Sequence, residues 1–128
     1  MDNIRNLVVG GVSLIKCKSR GFGNAVMNAR NIIEPELVRN GYLADAPFRT
    51  VSLILRFSDR DNPIPEIGEV EARRSMLPVA VELDAKHLET LNSQELEERF
   101  KIVMIEVLCD VAANFDLPYE FLDDMRGR

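Results

Sequence analysis

The chain has 128 residues, which is close to the commonest size of one folded domain, and 46% of them are hydrophobic and 29% charged. This balance is typical of globular proteins and excludes a disordered or fibrous chain. The net charge is −5 and it is uneven: residues 1–58 carry eight Lys and Arg against four Asp and Glu, whereas residues 59–128 carry eight against seventeen. We therefore expect one domain, residues 1–128, without nucleic acid as a partner, because phosphate binding needs clustered cations.

Metal, disulfide and membrane chemistry have little support in the sequence. Cys17 and Cys109 lie far apart without Cys-x-x-Cys spacing, and His87 alone does not complete a zinc site. The uncharged run 6–15 is too short to span a membrane and no signal-peptide cleavage site follows it. We expect reduced thiols, no metal, no cofactor, no membrane partner and a cytoplasmic location.

The first third of the chain predicts a strand followed by a helix. Residues 7–18 predict the strand, with Gly10-Gly11 as a hairpin turn or a bulge, and Ser19–Gly23 predict a loop. From Asn24 the hydrophobic spacing becomes helical at Val26, Ala29, Ile33 and Leu37, with Met27 and Arg30 turned elsewhere.

Two breakers mark the end of that first helix. Pro35 is expected either to kink the helix or to start a second short one, because proline clashes inside a helix. Asn40-Gly41 supplies a C-terminal stop, since glycine adopts the left-handed conformation that ends many helices.

Two strands follow. Phe48–Phe57 alternates Val51, Leu53, Leu55 and Phe57 with more polar residues, which predicts one buried and one wetter face. Met76–Asp84 alternates in the same way, and Pro78 indicates an edge strand or a strand start because proline lacks a backbone donor. We expect these two strands to pair antiparallel, joined by an acidic loop.

Two helices close the chain. Asn92 is placed to cap the longer helix and Glu95 to complete a capping box, and the expected apolar stripe is Leu96, Phe100, Val103, Val107 and Val111, widened by Met104 and Leu108. A short terminal helix is expected over Tyr119–Met125. The predicted order is strand-helix-strand-strand-helix-helix, an α+β fold with an antiparallel sheet of three to four strands backed by helices on one face.

No catalytic motif emerges from these residues. His87 is interpreted as a surface turn histidine that Asp84 could orient, and no sequence logic brings Cys17 to it as a thiol dyad. Candidate partner-binding residues are instead the acids of the loop after the second strand and the polar face of the two paired strands. They are Arg56, Asp59, Asp61, Glu66, Glu69, Glu71, Glu82 and Asp84.

Several segments together resemble a known protein family. They are Pro47-Phe48-Arg49-Thr50, Leu53-Ile54-Leu55-Arg56-Phe57, Leu77-Pro78-Val79-Ala80-Val81-Glu82-Leu83, Phe100-Lys101, Glu106-Val107-Leu108 and Leu117-Pro118. They resemble bacterial immunity proteins of polymorphic-toxin systems. The resemblance implies a small, cytoplasmic, non-enzymatic protein that binds and blocks a cognate toxin domain, and it carries over no catalytic residues.

Two kinds of binding protein and one enzyme remain open. An acidic inhibitor would suit a basic toxin such as a nuclease, because charge complementarity speeds association. The alternative is an acidic secretion chaperone, whose dimer binds an extended effector segment, and a small cytosolic enzyme comes third. A homodimer remains open, and so does the plainer interpretation that the acids only keep the protein soluble.

Overall fold

A computed structural model describes residues 7–13, 20–58 and 76–126. The elements are β1 (Leu7–Ser13), α1 (Arg20–Arg39), β2 (Thr50–Ser58), β3 (Met76–Asp84), α2 (Ala85–Glu89), α3 (Ser93–Phe115) and α4 (Glu120–Arg126). Their order is close to the predicted one. The difference is α2, a single short helix where the sequence predicted a turn.

The three strands form one parallel sheet in the order β1-β2-β3. The predicted antiparallel pairing of β2 with β3 is therefore wrong. Hydrophobic alternation shows which face of a strand is buried, and that pattern is the same for either strand direction. The 17 residues between the two strands, 59–75, are also more than the dozen that a parallel return requires, although they lie outside the described residues.

The glycine pair of β1 is part of the strand and forms neither a turn nor a bulge. Gly10 pairs with Ile54 and Gly11 with Leu55 in an uninterrupted register that runs from Leu7 to Ser13. A bulge would place two residues of one strand opposite one of the other, and no such step occurs. The predicted continuation of this strand through residues 14–18 lies outside the described residues.

Helix α1 is longer than predicted and continuous. It begins at Arg20, so most of the expected Ser19–Gly23 loop is helical, and the buried ring of Phe22 packs edge-on against Phe100 of α3 at 6.1 Å between centroids. Pro35 lies inside α1 and does not start a second helix. Burial of Ile33 and Leu37 on either side of it offsets the cost of a proline there.

The predicted C-terminal stop of α1 is confirmed. Gly41 adopts φ of +59°, the backbone N–H of Tyr42 donates to the carbonyl of Leu37 at 3.0 Å, and that of Gly41 donates to the carbonyl of Val38 at 3.2 Å. This pair of bonds is the Schellman arrangement, which satisfies the carbonyls at the end of a helix. It turns the chain so that Tyr42 enters the core.

The core lies between one face of the sheet and the helices. Val51, Leu53 and Leu55 of β2 are buried, as the alternation predicted, and they join one hydrophobic cluster with α1 and α3. In α3 the capping box between Asn92 and Glu95 is confirmed. The buried stripe of α3 is rotated from the expected one, because Val103 and Val107 are only half-buried. Its members are Leu96, Phe100, Met104, Ile105, Leu108, Val111 and Ala112.

Arg30 was expected to turn away from the core, and it is instead 8% exposed. Its Nε donates to the backbone carbonyl of Leu7 at 3.0 Å, and its guanidinium also reaches Asn31 and Glu34 at 3.3 and 4.0 Å. A buried charge is tolerated when it is hydrogen-bonded and paired in this way. The contact fixes α1 against the start of β1.

Candidate partner-binding surface

Three of the residues predicted from the sequence lie together at one edge of the sheet. The parallel register places Arg56 of β2 beside Glu82 of β3, and Ser58 beside Asp84, where both strands end. The expected neighbourhood of Arg56 and Glu82 across the sheet is therefore present. The carboxyl ends of parallel strands are where open sheets usually bind their ligands.

Asp84 has a structural function at this edge. Its carboxylate accepts hydrogen bonds from the backbone N–H groups of Lys86 at 3.0 Å and His87 at 3.4 Å, which makes it the N-cap of α2. The carboxylate thus orients the backbone of His87. The imidazole itself is exposed, as a surface histidine would be.

The five acids of the predicted loop lie outside the described residues. They are Asp59, Asp61, Glu66, Glu69 and Glu71. Cys17, the other half of the thiol dyad considered from the sequence, lies outside them as well.

The described part of the acidic half carries its charge on the surface. Residues 76–126 contain twelve Asp and Glu against four Lys and Arg, and every one of these acids except Glu97 is exposed. Lys101 pairs with Glu98 at 3.0 Å and Arg126 with Asp123 at 2.8 Å. Among the described residues, the exposed Glu106, Asp110, Asp116, Glu120 and Asp124 form no ion pair with a described cation.

A row of acids follows the outer face of α3, opposite the buried stripe. Glu95, Glu98, Glu106 and Asp110 recur there at helical spacing around the half-buried Ile102. Glu106 and Asp110 are four residues apart, a spacing at which like charges destabilise a helix slightly. The last turn of α3 has no basic residue to offset the negative end of the helix dipole. Glu106 and Asp110 therefore cost the helix some stability.

A shallow groove of 570 Å³ lies where α2 meets the start of α3. Its lining combines the half-buried Leu91 and Ile102 with the exposed His87, Glu98 and Arg99. Protein–protein interfaces also combine apolar and charged side chains. Glu95 and Glu98 of the acidic row on α3 both line this groove.

At the other end of α3, the turn from Asp116 to Glu120 exposes an aromatic ring. Tyr119 is 47% exposed. Phe115, the last residue of α3, is 39% exposed and packs edge-on against Phe48 at 5.0 Å between ring centroids. Sequence reasoning missed Tyr119 as a candidate and assigned it to the terminal helix. The clue available in the sequence was its position beside Pro118 and between acids, at the junction of two helices.

The thiol near this turn is not arranged as a nucleophile. Burial raises the pKa of Cys109, and the neighbouring carboxylate of Asp123 raises it further, although the guanidinium of Arg126 at 3.7 Å acts in the opposite direction. A reactive cysteine needs a lowered pKa, because the thiolate is the nucleophile. Cys109 therefore stays protonated at neutral pH.

Neither a membrane-spanning helix nor a metal-binding cluster occurs in the described ranges. None of the helices there is both long enough and apolar enough to cross a bilayer. No group of three or more His, Cys, Asp or Glu side chains in the same ranges could hold a metal ion.

A family model described as immunity protein 39 matches residues 1–128, the whole chain. The chain belongs to the immunity protein 39 family. No curated protein and no solved structure matches it.

Membership of this family gives the immunity protein a general role and a type of partner. Immunity proteins act in toxin neutralisation, they are typically non-enzymatic, and their partner is a cognate toxin. The resemblance found in the sequence is thereby confirmed.

Proposed function

We propose that this immunity protein binds a cognate toxin domain directly, without catalysis, and that an acidic surface makes the contact. The supporting observation is the set of exposed carboxylates on α3 and around its end that pair with no cation of the described residues, in a chain whose family acts in toxin neutralisation. Acids that weaken their own helix are expected where binding, rather than folding, requires them.

The proposed surface has three parts, in which all residues except Arg56 belong to the acidic half of the chain. The outer face of α3 contributes Glu106 and Asp110, and the carboxyl edge of the sheet contributes Arg56, Glu82 and Asp84. The loop acids form the third part, and they are included only because of their charge. They are Asp59, Asp61, Glu66, Glu69 and Glu71.

A toxin with a basic face, as nucleases have, would complement this surface. Opposite net charges steer two proteins toward each other and raise the association rate, and like-charged partners are rejected. The immunity protein would then act by binding the toxin domain in the cytoplasm. It needs no cofactor for this.

The test uses the purified toxin domain encoded by the neighbouring reading frame and a pair of charge reversals. Asp110→Lys on α3 and Asp45→Lys in the turn after α1 make the same charge change at two exposed positions. We expect Asp110→Lys to raise the dissociation constant about tenfold, mainly through slower association, and Asp45→Lys to change it less than about twofold. Surface plasmon resonance measures both rates.

The outcomes separate the two parts of the proposal. A wild-type protein that neither binds this toxin domain nor protects cells that express it would overturn the proposed function. Equal affinities of Asp110→Lys and Asp45→Lys would leave neutralisation intact and remove α3 from the contact surface. Charge reversal of Glu69 and Glu71 tests the loop in the same assay. Full affinity in that variant would exclude the loop from the proposed contact surface.

A further inference from the structure

The turn between α3 and α4, residues Asp116–Glu120, has a backbone that is fixed at both ends. Asp116 adopts φ of 55°, and its N–H and that of Leu117 both donate to the carbonyl of Ala112, the second bond measuring 3.0 Å. At the other end the carbonyl of Tyr119 accepts the N–H of Leu122 at 2.9 Å. The buried side chain of Leu117 anchors the middle of the turn. Tyr119 is therefore an exposed ring on a preorganised backbone.

Two grooves adjoin Tyr119. One, of 510 Å³, includes Pro118 and Asp124, and the other, of 460 Å³, includes Ala113 and Asp116. Both grooves are lined by Leu117 and Tyr119. A partner that covers the turn can therefore enclose the ring and place side chains in both grooves.

The charge around the ring is negative. Asp116, Glu120 and Asp124 are exposed, and within the described ranges no cation pairs with them. Arg126, the nearest cation in sequence, is already bound to Asp123 at 2.8 Å. The negative end of the α3 dipole adds to this field, because the last turn of α3 has no basic residue.

We propose that the Tyr119 turn is the central contact for a Lys- or Arg-bearing surface of the cognate toxin. A toxin cation lies over the ring, where the π-electrons attract it, and neighbouring toxin cations meet Asp116, Glu120 and Asp124. The inference rests on the proposed function and assigns its principal contact. Tyrosine and a fixed backbone both favour such a contact, because little conformational freedom is lost on binding.

The other large exposed apolar side chains of the described ranges do not offer this combination. Phe115, at the end of α3, already packs edge-on against Phe48 at 5.0 Å between ring centroids. Met27, Ile32 and Val38 are exposed on α1, which has no acidic residue in its first turn and belongs to the half of the chain with net positive charge. Met27 has an exposed fraction of 44%, close to that of Tyr119. It is therefore a matched control for truncating an exposed side chain.

The experiment compares three variants of the full chain against the toxin domain encoded by the neighbouring reading frame, by calorimetry. We expect Tyr119→Ala to weaken binding about 30-fold or more, as for a central contact residue, and Met27→Ala to change it less than about twofold. Tyr119→Phe keeps the ring and should stay within about threefold of wild type. Hydrogen exchange of the wild-type complex should protect the amides of residues 116–124.

Each outcome has a different consequence. If wild type binds while Tyr119→Ala stays within about twofold, or if residues 116–124 gain no protection, the Tyr119 contact is overturned and the proposed function stands. If Tyr119→Phe loses as much affinity as Tyr119→Ala, the hydroxyl carries the contact and the cation over the ring is overturned. If wild type does not bind the toxin domain at all, the proposed function fails as well.

Discussion

Tyr42 is the residue at which three helices meet. It follows α1, its hydroxyl donates to the carbonyl of Leu108 in α3 at 2.6 Å, and its ring packs edge-on against Phe121 of α4 at 6.1 Å between centroids. The Tyr42 side chain is fully buried, so it keeps water away from the Leu108 carbonyl that accepts its hydrogen bond. A buried tyrosine usually needs such a partner.

The Tyr42 hydrogen bond predicts that a tyrosine-to-phenylalanine substitution changes the free energy of unfolding differently at positions 42 and 119. Tyr42→Phe removes the bond and should lower the free energy of unfolding by about 1 kcal/mol. Tyr119→Phe removes a hydroxyl from an exposed ring and should leave it unchanged. Urea denaturation at neutral pH measures both, and equal values for the two variants would show that the buried bond contributes nothing.

Tyr42 also predicts a pH dependence at the alkaline end. Burial raises the pKa of its phenol above the ordinary value, and the neighbouring Cys109 raises it further. The unfolded chain therefore loses this proton first, so the contribution of Tyr42 to stability is full below about pH 10 and is lost as the pH rises further. The stability advantage of wild type over Tyr42→Phe should shrink above that pH. An advantage that stays constant to about pH 11 would contradict this assignment.

At the scale of elements, one glycine inside α1 and one just after its end predict opposite responses to alanine. Gly23 lies inside the helix, and a Cβ there would meet no atom within 4 Å, so Gly23→Ala should stabilise the protein by about 0.5–1 kcal/mol. Gly41 ends the helix at φ +59°, and a Cβ there would meet Ala44 only at ordinary contact distance, 3.8 Å. Backbone strain alone should make Gly41→Ala destabilising by about 1 kcal/mol. If both variants shifted the thermal unfolding midpoint in the same direction, the helical conformation of Gly23 and the left-handed conformation of Gly41 would be contradicted.

Local chemistry explains which elements the sequence predicts well. The Asn92–Glu95 capping box and the Asn40-Gly41 stop each depend on a few adjacent residues, and both occur as expected. The direction of β3 depends on a 17-residue connection whose path the alternation of Val79 and Val81 does not encode. The placement of Arg30 also depends on a distant partner, the carbonyl of Leu7.

At the scale of the whole molecule, the sequence predicts the sign of the charge on the candidate surface better than it predicts where that surface lies. Counting charges identifies the acidic half, and the structure exposes those acids along α3 and beyond it. The exposure of Tyr119 follows from the way α4 turns back after Asp116, with Leu117 buried and the ring left outside. No periodicity within four or five residues contains that information.

The asymmetry of charge makes a last prediction about how the immunity protein meets its toxin. Long-range attraction between an acidic surface and a basic toxin is screened by salt, since the Debye length shortens from about 14 Å to about 4 Å between 50 and 500 mM salt. The association rate should therefore fall about tenfold or more over this range, while the dissociation rate changes less, because short-range contacts govern it. Stopped-flow mixing with the toxin domain measures the association rate, and Asp110→Lys should give a shallower salt dependence than Asp45→Lys. An association rate that does not change with salt would mean that shape alone, without the acids of the C-terminal half, brings the two proteins together.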